Sequence, residues 1–314
     1  MIIKKNISII FNLFLLTHLV VWTLVPFFSN KNLPLDVIEA LAWGSNLGWG
    51  WDKHPPLSVF FPEIIYQIFG RQDWAYYLLS QIFVIFSFVV IFKLAKEFLK
   101  KEIHALLSVF LLEGIYFYNF TTPEFNVNVC QIPFWALTVY YYWQCLKNNK
   151  VQNWVLLGLF AALGVLSKYL FVYLLVGMIT FFIFKLKNNK KFNFKYFIPI
   201  IVFLLVLTPH LIWLINNDLK TIAYGLKRTS LEESSFLNHL LYPLEFIFKQ
   251  TGILIIFFGL LSLIISKFKF KFNFRDEKLV YLTSITIIPI LLMLLTSLIF
   301  GANIRTMWMT PFYL

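Results

Sequence analysis

Charged residues are too scarce in this sequence for an ordinary soluble domain. Asp, Glu, Lys and Arg make up 13% of its 314 residues, whereas hydrophobic residues make up 60%. A soluble domain of this length needs far more polar side chains to cover its surface. The excess of apolar residues therefore predicts extensive contact with lipid and excludes the common soluble classes.

Cysteine is also scarce, and Cys130 and Cys145 fall within one apolar segment. On a single helix, with a rise of about 1.5 Å per residue, they would stand about 22 Å apart. A disulfide bond does not reach across that distance. The sequence also lacks the CxxC and CxxH spacings of zinc sites, so it predicts neither a disulfide framework nor a cysteine-bound metal.

Motifs for nucleotide binding and for common hydrolytic chemistry are missing as well. The sequence has no GxGxxG, Walker, HExxH or GxSxG pattern, which argues against a nucleotide-driven pump and a zinc protease. A net charge of +12 could indicate a nucleic-acid-binding protein. The basic residues instead form short clusters between apolar runs, which is typical of membrane proteins, so no nucleic-acid partner is expected.

The sequence does contain a series of apolar runs that suit membrane helices. A helix of about 20 residues crosses a hydrocarbon core of about 30 Å, and backbone groups in lipid must bond internally. The runs therefore predict an all-α polytopic bundle of about nine or ten spans. They lie near residues 7–28, 74–92, 103–118, 127–146, 153–167, 169–184, 196–215, 250–266 and 279–300, and a tenth begins near Trp308.

The basic residues predict which ends of these spans face the cytoplasm, because Lys and Arg concentrate in short cytoplasmic loops. With a cytoplasmic N-terminus, 18 of the 27 Lys and Arg residues fall in the inside segments 1–6, 93–102, 147–152, 185–195 and 267–278. The long segments 29–73 and 216–249 then lie outside. Binding and catalytic residues are concentrated in loops, so a functional site is expected on the outer side.

Two acids stand three residues apart in the first outside segment, Asp36 and Glu39. On a helix this spacing puts both carboxylates on one face. The pair could accept a proton, hold a divalent cation or simply cap a solvated helix. A general base must lie within reach of its proton and have a suitable pKa, and the spacing alone provides neither. Two acids also do not select a metal, so these alternatives stay open.

Aromatic, basic and proline residues follow in the same segment. Trp43, Trp49 and Trp51 alternate with glycines, and such tryptophans either anchor the chain at the membrane interface or offer flat platforms to a sugar ring. Lys53 and His54 precede two prolines, which disfavour a helix there. The prolines could hold a cation rigidly for a lipid phosphate, although a plain rigid turn is the alternative reading.

The order of these motifs resembles the membrane glycosyltransferases of families 39 and 83, the group of the protein O-mannosyltransferases and the lipid A aminoarabinose transferases. The shared pattern is Asp-x-x-Glu after the first span, then Trp and Gly residues, then a basic residue before Pro-Pro-Leu. Four further elements match, namely Thr122-Pro123-Glu124, Leu166-Ser167-Lys168-Tyr169, the stretch from Pro209 to Asp218, and Arg305 with Trp308 and Pro311. The resemblance covers nearly the whole chain and implies the C-type glycosyltransferase fold, with interfacial helices in the first outside segment and one domain over residues 1–314.

The resemblance implies an enzyme that moves a hexose or pentose from a polyprenyl-phosphate donor to a lipid, glycan or protein acceptor. It would work at the outer face of the plasma (inner) membrane, with membrane lipids as partners. No cofactor is required by the sequence, and whether a divalent metal takes part stays open. Asp36 and Glu39 would be the catalytic acids. Residues implied for binding the donor phosphate are Lys53, His54, Lys168, Arg228 and Arg305, and those implied for the acceptor or sugar are Glu124, Trp43, Trp49 and Trp51.

The sequence departs from this pattern where it ends, at Leu314. Relatives continue with further spans and sometimes a soluble outer domain, so we expect a C-terminally truncated relative, and an inactive remnant is one alternative. A transporter or lipid flippase is another, supported thinly by Glu113 and Lys168, without an inverted repeat. A Lys inside a span costs a few kcal/mol. Lys168 is therefore expected at a short external turn or in a functional role, while His18 should have a polar partner.

Overall fold

The computed structural model describes residues 2–188, 193–229, 235–265, 273 and 275–314. No β-strand occurs in these ranges, so the predicted all-α class is confirmed. The α-helices, numbered in chain order, are α1 (Ile2–Ser29), α2 (Leu35–Gly44), α3 (Leu57–Phe69), α4 (Asp73–Phe98), α5 (Glu102–Phe110), α6 (Val127–Asn148), α7 (Val151–Ser167), α8 (Val172–Asn188), α9 (Phe197–Asn216), α10 (Lys220–Lys227), α11 (Asn238–Ile253), α12 (Ile255–Ile265) and α13 (Glu277–Phe300).

The helices form a bundle that crosses a membrane several times. In the part of the chain that the structure describes, five helices are long and apolar enough to span, or six if α11 and α12, which meet at a bend of 56°, form one broken span. This number is lower than the nine or ten spans predicted. The helix α6 has the length, with 22 residues, but it carries buried polar side chains, and α7 has only 17 residues.

The run predicted as the third span is not one helix. The helix α5 ends at Phe110 and the chain continues in the 3-10 turns Leu111–Gly114 and Tyr116–Tyr118. Gly114 lies so close to α12 that an added Cβ would stand 2.9 Å from the Cα of Phe257. The residues predicted to start a tenth span also form a 3-10 helix, Thr306–Tyr313, whose middle is buried.

A polar pair, one member of which is buried, holds the broken segment against α1. The Nδ1 atom of His18 lies 2.6 Å from Oε1 of Glu113. The Asn119 side chain donates a second hydrogen bond, at 2.9 Å, to the backbone carbonyl of Glu113. The expected polar partner of His18 is thus confirmed, and Glu113 has a buried partner.

Segments predicted to lie inside meet at one end of the bundle. The ammonium group of Lys147 lies 2.5 Å from the carboxylate of Glu97, and Lys278 donates to the backbone carbonyl of Glu97 at 2.6 Å. Lys185 pairs with Glu277. These contacts join four of the predicted cytoplasmic segments, as the alternation of spans requires. Which side of a membrane this end faces stays a prediction.

The opposite end carries the two predicted outside segments. Asn30, just after α1, donates to the hydroxyl of Tyr77 near the start of α4 at 3.2 Å. The loop between α2 and α3 packs on the end of α9, where Gly50 leaves room for Trp213, since a Cβ there would lie 2.5 Å from the indole. Thr221 at the start of α10 donates to the carbonyl of Trp51 at 2.6 Å. This packing gathers the candidate site residues.

Candidate functional site

Two acids that are distant in sequence come together at this end. Asp36 lies in the first turn of α2, and its backbone N–H donates to Oε1 of Glu124 at 3.3 Å across 88 residues of sequence. Glu124 stands just before α6. The structure therefore brings together an acid predicted as catalytic and an acid predicted to bind the acceptor.

Lys53 is held beside these acids. Its ammonium group forms an ion pair with Glu39 and lies 5.8 Å from the centre of the Trp43 ring. The hydrogen bond with Glu39 raises the pKa of Lys53. Lys53 is therefore positively charged at neutral pH, and the ion pair with Glu39 fixes its position.

The environment of Asp36 changes its acidity. Burial raises the pKa of this carboxyl to about 6, the charges of Glu124 and Glu39 add to the rise, and Lys53 and Arg228 oppose it. An acid with this pKa is mostly ionised at neutral pH and still binds a proton readily. Such a value suits a general base, whose pKa should lie near the working pH.

Lys168 sits in the turn between α7 and the 3-10 helix Tyr169–Phe171, as the turn interpretation predicts. Its ammonium group donates to the side-chain oxygen of Asn128 and lies 5.2 Å from the centre of the Trp308 ring. Burial lowers the pKa of Lys168 well below its ordinary value, and the charge of Asp36 opposes that change. The two residues therefore lie on the same side of the bundle.

His54 carries no charge in this environment. Burial lowers its pKa to about 3, and the positive charges of Lys168, Lys53 and Arg228 add to the effect. Its ring meets that of Trp43 edge-on, with centroids 6.0 Å apart. Among the residues predicted to bind the donor phosphate, His54 can therefore offer a hydrogen bond but not a positive charge.

The two arginines are placed differently. Arg228 follows α10 with its guanidinium 5.8 Å from the ring centre of Tyr224, and its charge reaches both Asp36 and His54. The Arg305 side chain is exposed, and no described contact joins it to the acids. The backbone of Asn303 donates to that of Thr229 at 3.0 Å, which ties the two arginine-bearing segments together.

Only one of the three tryptophans stands beside the acids. Trp43 stacks on Trp51 at 6.2 Å and 14°, and it lines a narrow cleft together with Asp36 and Glu39. Trp51 and Trp49 meet Phe60 of α3 edge-on. Trp49 and Trp51 therefore pack the loop against α3, and of the three tryptophans only Trp43 lines the cleft.

A larger cavity of about 790 Å³ lies next to this cleft. Its walls come from residues 29–34, from residues 116–129 and from residues 307–310. Asn126 lines both the cavity and the cleft, so the two spaces adjoin at this residue.

Residues 53–213, just over half of the chain, match the family model described as dolichyl-phosphate-mannose-protein mannosyltransferase. The chain belongs to this family. The resemblance read from the motifs is confirmed, and the protein is a membrane glycosyltransferase in its general function. No curated protein and no solved structure matches the chain.

The match to this mannosyltransferase family includes some of the candidate residues and leaves others out. Lys53, His54, Glu124 and Lys168 lie within the matched stretch. Asp36 precedes it, so the family match does not extend to this predicted catalytic acid. Over the described ranges, no three His, Cys, Asp or Glu side chains are grouped closely enough to hold a metal ion.

The motif analysis missed two residues of this glycosyltransferase site. Asn126 caps α6, and its side-chain oxygen accepts hydrogen bonds from the backbone N–H groups of Asn128 and Val129 at 2.9 and 3.2 Å. Asn128 holds the ammonium group of Lys168. An Asn before an apolar run is an N-cap signal. That signal could have located Asn126, but nothing in the sequence indicates that Asn128 meets Lys168.

Proposed function

We propose that this glycosyltransferase moves a sugar from a polyprenyl-phosphate donor to an acceptor hydroxyl of a lipid, glycan or protein on the outer side of the membrane. One observation carries the proposal. Asp36, Glu39 and Glu124 face the same small region as Lys53 and Arg228, although the chain brings them from distant segments. Negative groups for a hydroxyl and positive groups for a phosphate are therefore adjacent.

The reaction needs a base and a stabilised leaving group. The acceptor oxygen would attack the anomeric carbon, forming a new C–O bond while the bond from that carbon to the phosphate oxygen breaks. Asp36 would take the hydroxyl proton, because its pKa of about 6 leaves it ionised at neutral pH. The polyprenyl phosphate would leave with the bonding electron pair.

The cations would act on that leaving group. Lys53 is charged and held by Glu39, and Arg228 lies within electrostatic reach of Asp36. Fixed positive charges aimed at developing negative charge lower the barrier without reorganisation. His54 is neutral and would donate a hydrogen bond to a phosphate oxygen. Lys168 would hold the side chain of Asn128 in place.

The charge bias of the sequence supports an outer location. The lysine-rich segments meet at the other end of the bundle, and such segments usually stay in the cytoplasm. The site would then face outward, with a lipid donor reaching it from within the bilayer.

Transfer of radiolabelled sugar in proteoliposomes tests the proposal. Polyprenyl-phosphate mannose, glucose, galactose and arabinose would be compared as donors with the wild-type protein, Asp36→Asn and Asp52→Asn. Loss of a general base typically costs about 10²–10⁴ in rate, so Asp36→Asn should lose at least about 100-fold. Asp52→Asn, which changes an exposed neighbouring acid, should keep its rate.

Two results would contradict the proposal. Equal transfer by Asp36→Asn and the wild type would remove Asp36 from the reaction. Transfer from nucleotide sugars but from none of the polyprenyl-phosphate sugars would reject the donor class.

A further inference from the structure

The cavity of about 790 Å³ has an unusual lining. Its volume falls in the range of about 300–1,000 Å³ that is typical of small-molecule sites, which are mostly lined by apolar side chains. Here amide and aliphatic hydroxyl side chains make up seven of the fifteen lining residues. They are Ser29, Asn30, Asn32, Thr121, Asn126, Asn128 and Thr310.

We propose that this cavity binds the acceptor and that the acceptor is a neutral carbohydrate, an inference that rests on the proposed function. Each sugar hydroxyl both donates and accepts hydrogen bonds, and burying it without partners is costly. An Asn side chain offers an acceptor oxygen and two N–H donors. A wall of such side chains can satisfy many hydroxyls at once.

Two of these amides, those of Asn30 and Asn126, have hydrogen-bonding capacity left for a ligand. Asn126 uses its oxygen on the backbone of α6, which leaves its NH₂ group for the cavity. Asn30 uses its NH₂ group on Tyr77, which leaves its oxygen. The lining of the cavity therefore includes a donor and an acceptor from two different segments, one after α1 and one before α6.

An aromatic surface stands at the same cavity. The rings of Tyr116 and Phe120 are stacked, with centroids 5.7 Å apart and planes 18° apart. Their exposed fractions are 49% and 66%, and Trp22 braces Phe120 edge-on at 5.1 Å. Exposed, braced rings beside amides suit the apolar C–H face and the polar edge of a pyranose ring.

The charge of the cavity argues against an acidic acceptor. Lys31 and Glu124 are the charged residues among those that line it, and their charges cancel. Charge-assisted hydrogen bonds from Arg or Lys favour a phosphorylated acceptor, and Lys31 is the one such cation among the lining residues. A peptide acceptor would most simply add to a sheet edge or place a helix in an apolar groove, and the described chain has no strand while this cavity is polar.

The cavity also leads to the reactive groups. Asn126 belongs to both the cavity and the cleft that contains Asp36, and Glu124 lines the cavity while accepting from the backbone of Asp36. A sugar in the cavity can thus present one hydroxyl at Asn126 toward the Asp36 carboxylate.

Saturation-transfer NMR on the full chain in polymer-bounded lipid discs, without glycoside detergents, tests this assignment. The probes are the methyl glycosides of glucose, galactose, mannose and N-acetylglucosamine, and a peptide rich in Ser and Thr. We expect a saturation-transfer signal for at least one glycoside and no such signal for the peptide.

Variants of the cavity lining test where the glycoside binds. Phe120→Ala and Asn32→Ala should weaken glycoside binding about tenfold, the effect of roughly 1.4 kcal/mol. Phe28→Ala and Asn46→Ala, which lie outside the cavity, should leave it unchanged.

Failure of this inference is distinguishable from failure of the proposed function. Asp36→Asn should bind the glycoside as the wild type does while losing transfer. Saturation of the peptide but of no glycoside, saturation of none of the probes, or glycoside binding that Phe120→Ala and Asn32→Ala leave unchanged would each overturn the carbohydrate assignment, even if sugar transfer to another acceptor were measured. Correct elution on size exclusion and an unchanged unfolding temperature show that each variant is folded.

Discussion

The backbone N–H of Asp36 donates a hydrogen bond to Oε1 of Glu124, with a donor–acceptor distance of 3.3 Å. This contact joins the segment after α1 to the segment before α6. It also places two carboxylates beside each other, and their repulsion adds to the effect of burial, which is the main cause of the raised pKa of Asp36. The acidity of Asp36 therefore depends on a residue that is remote in sequence.

The transfer rate should rise with pH through about 6 and then level off, because Asp36 must be ionised to accept a proton and its pKa is about 6. Glu124→Gln removes a negative charge that raises this pKa, so the midpoint should move to lower pH. Rate profiles between pH 4.5 and 8 measure the shift. Glu245→Gln, an exposed change in α11, is the control. An unmoved or higher midpoint in Glu124→Gln would contradict the electrostatic account.

Lys53→Met should have the opposite effect on the same profile. The charge of Lys53 lowers the pKa of Asp36, so its loss should move the midpoint to higher pH. The donor KM should also rise, by about tenfold for the loss of one charge-assisted contact. Steady-state kinetics with varied donor measure both, with Lys249→Met in α11 as the matched control. A rise in KM for the acceptor alone would place Lys53 away from the phosphate.

Lys168→Met should abolish most of the transfer, because it releases Asn128, and it should raise the unfolding temperature at neutral pH. Burial lowers the pKa of Lys168, so Lys168 binds its proton more tightly in the unfolded chain than in the folded protein. This difference lowers the free energy of unfolding of the wild type at neutral pH, and Met removes it. The difference in unfolding temperature between Lys168→Met and the wild type should become smaller as the pH rises toward the ordinary pKa of a lysine. Thermal unfolding in lipid discs at pH 7 and pH 9.5 measures it. A less stable variant at pH 7 would show that the lysine contributes to the fold.

The His18–Glu113 pair should behave as a unit. The His18 side chain is 1% exposed, so Glu113→Leu leaves its ring buried without a partner, which typically costs about 1–3 kcal/mol. His18→Leu leaves Glu113 without this contact. The double variant should be more stable than the sum of the two losses predicts. Chemical unfolding of all four proteins measures the coupling, and additive losses would show that the contact contributes nothing.

The sequence alone determined that the protein is a membrane protein, that it is helical, and which acids and cations are the main candidates for the site. Apolar runs predict membrane helices because backbone groups in lipid must bond internally. The lysine clusters predict which segments share one end, and the contacts of Glu97 with Lys147 and Lys278 agree. The order of the motifs indicated the family. A short motif such as Lys53-His54-Pro55-Pro56 consists of adjacent residues, so it can be recognised without the tertiary structure.

Only the tertiary structure decided how those residues work together. It ended the α-helix of the third predicted span at Phe110 and packed Gly114 closely against α12. It placed Asn128 on Lys168 and left Arg305 apart from the acids. It also made His54 neutral and Asp36 a weaker acid. These outcomes depend on burial and on charges brought from distant segments, and neither quantity can be read from the spacing of residues along one chain segment.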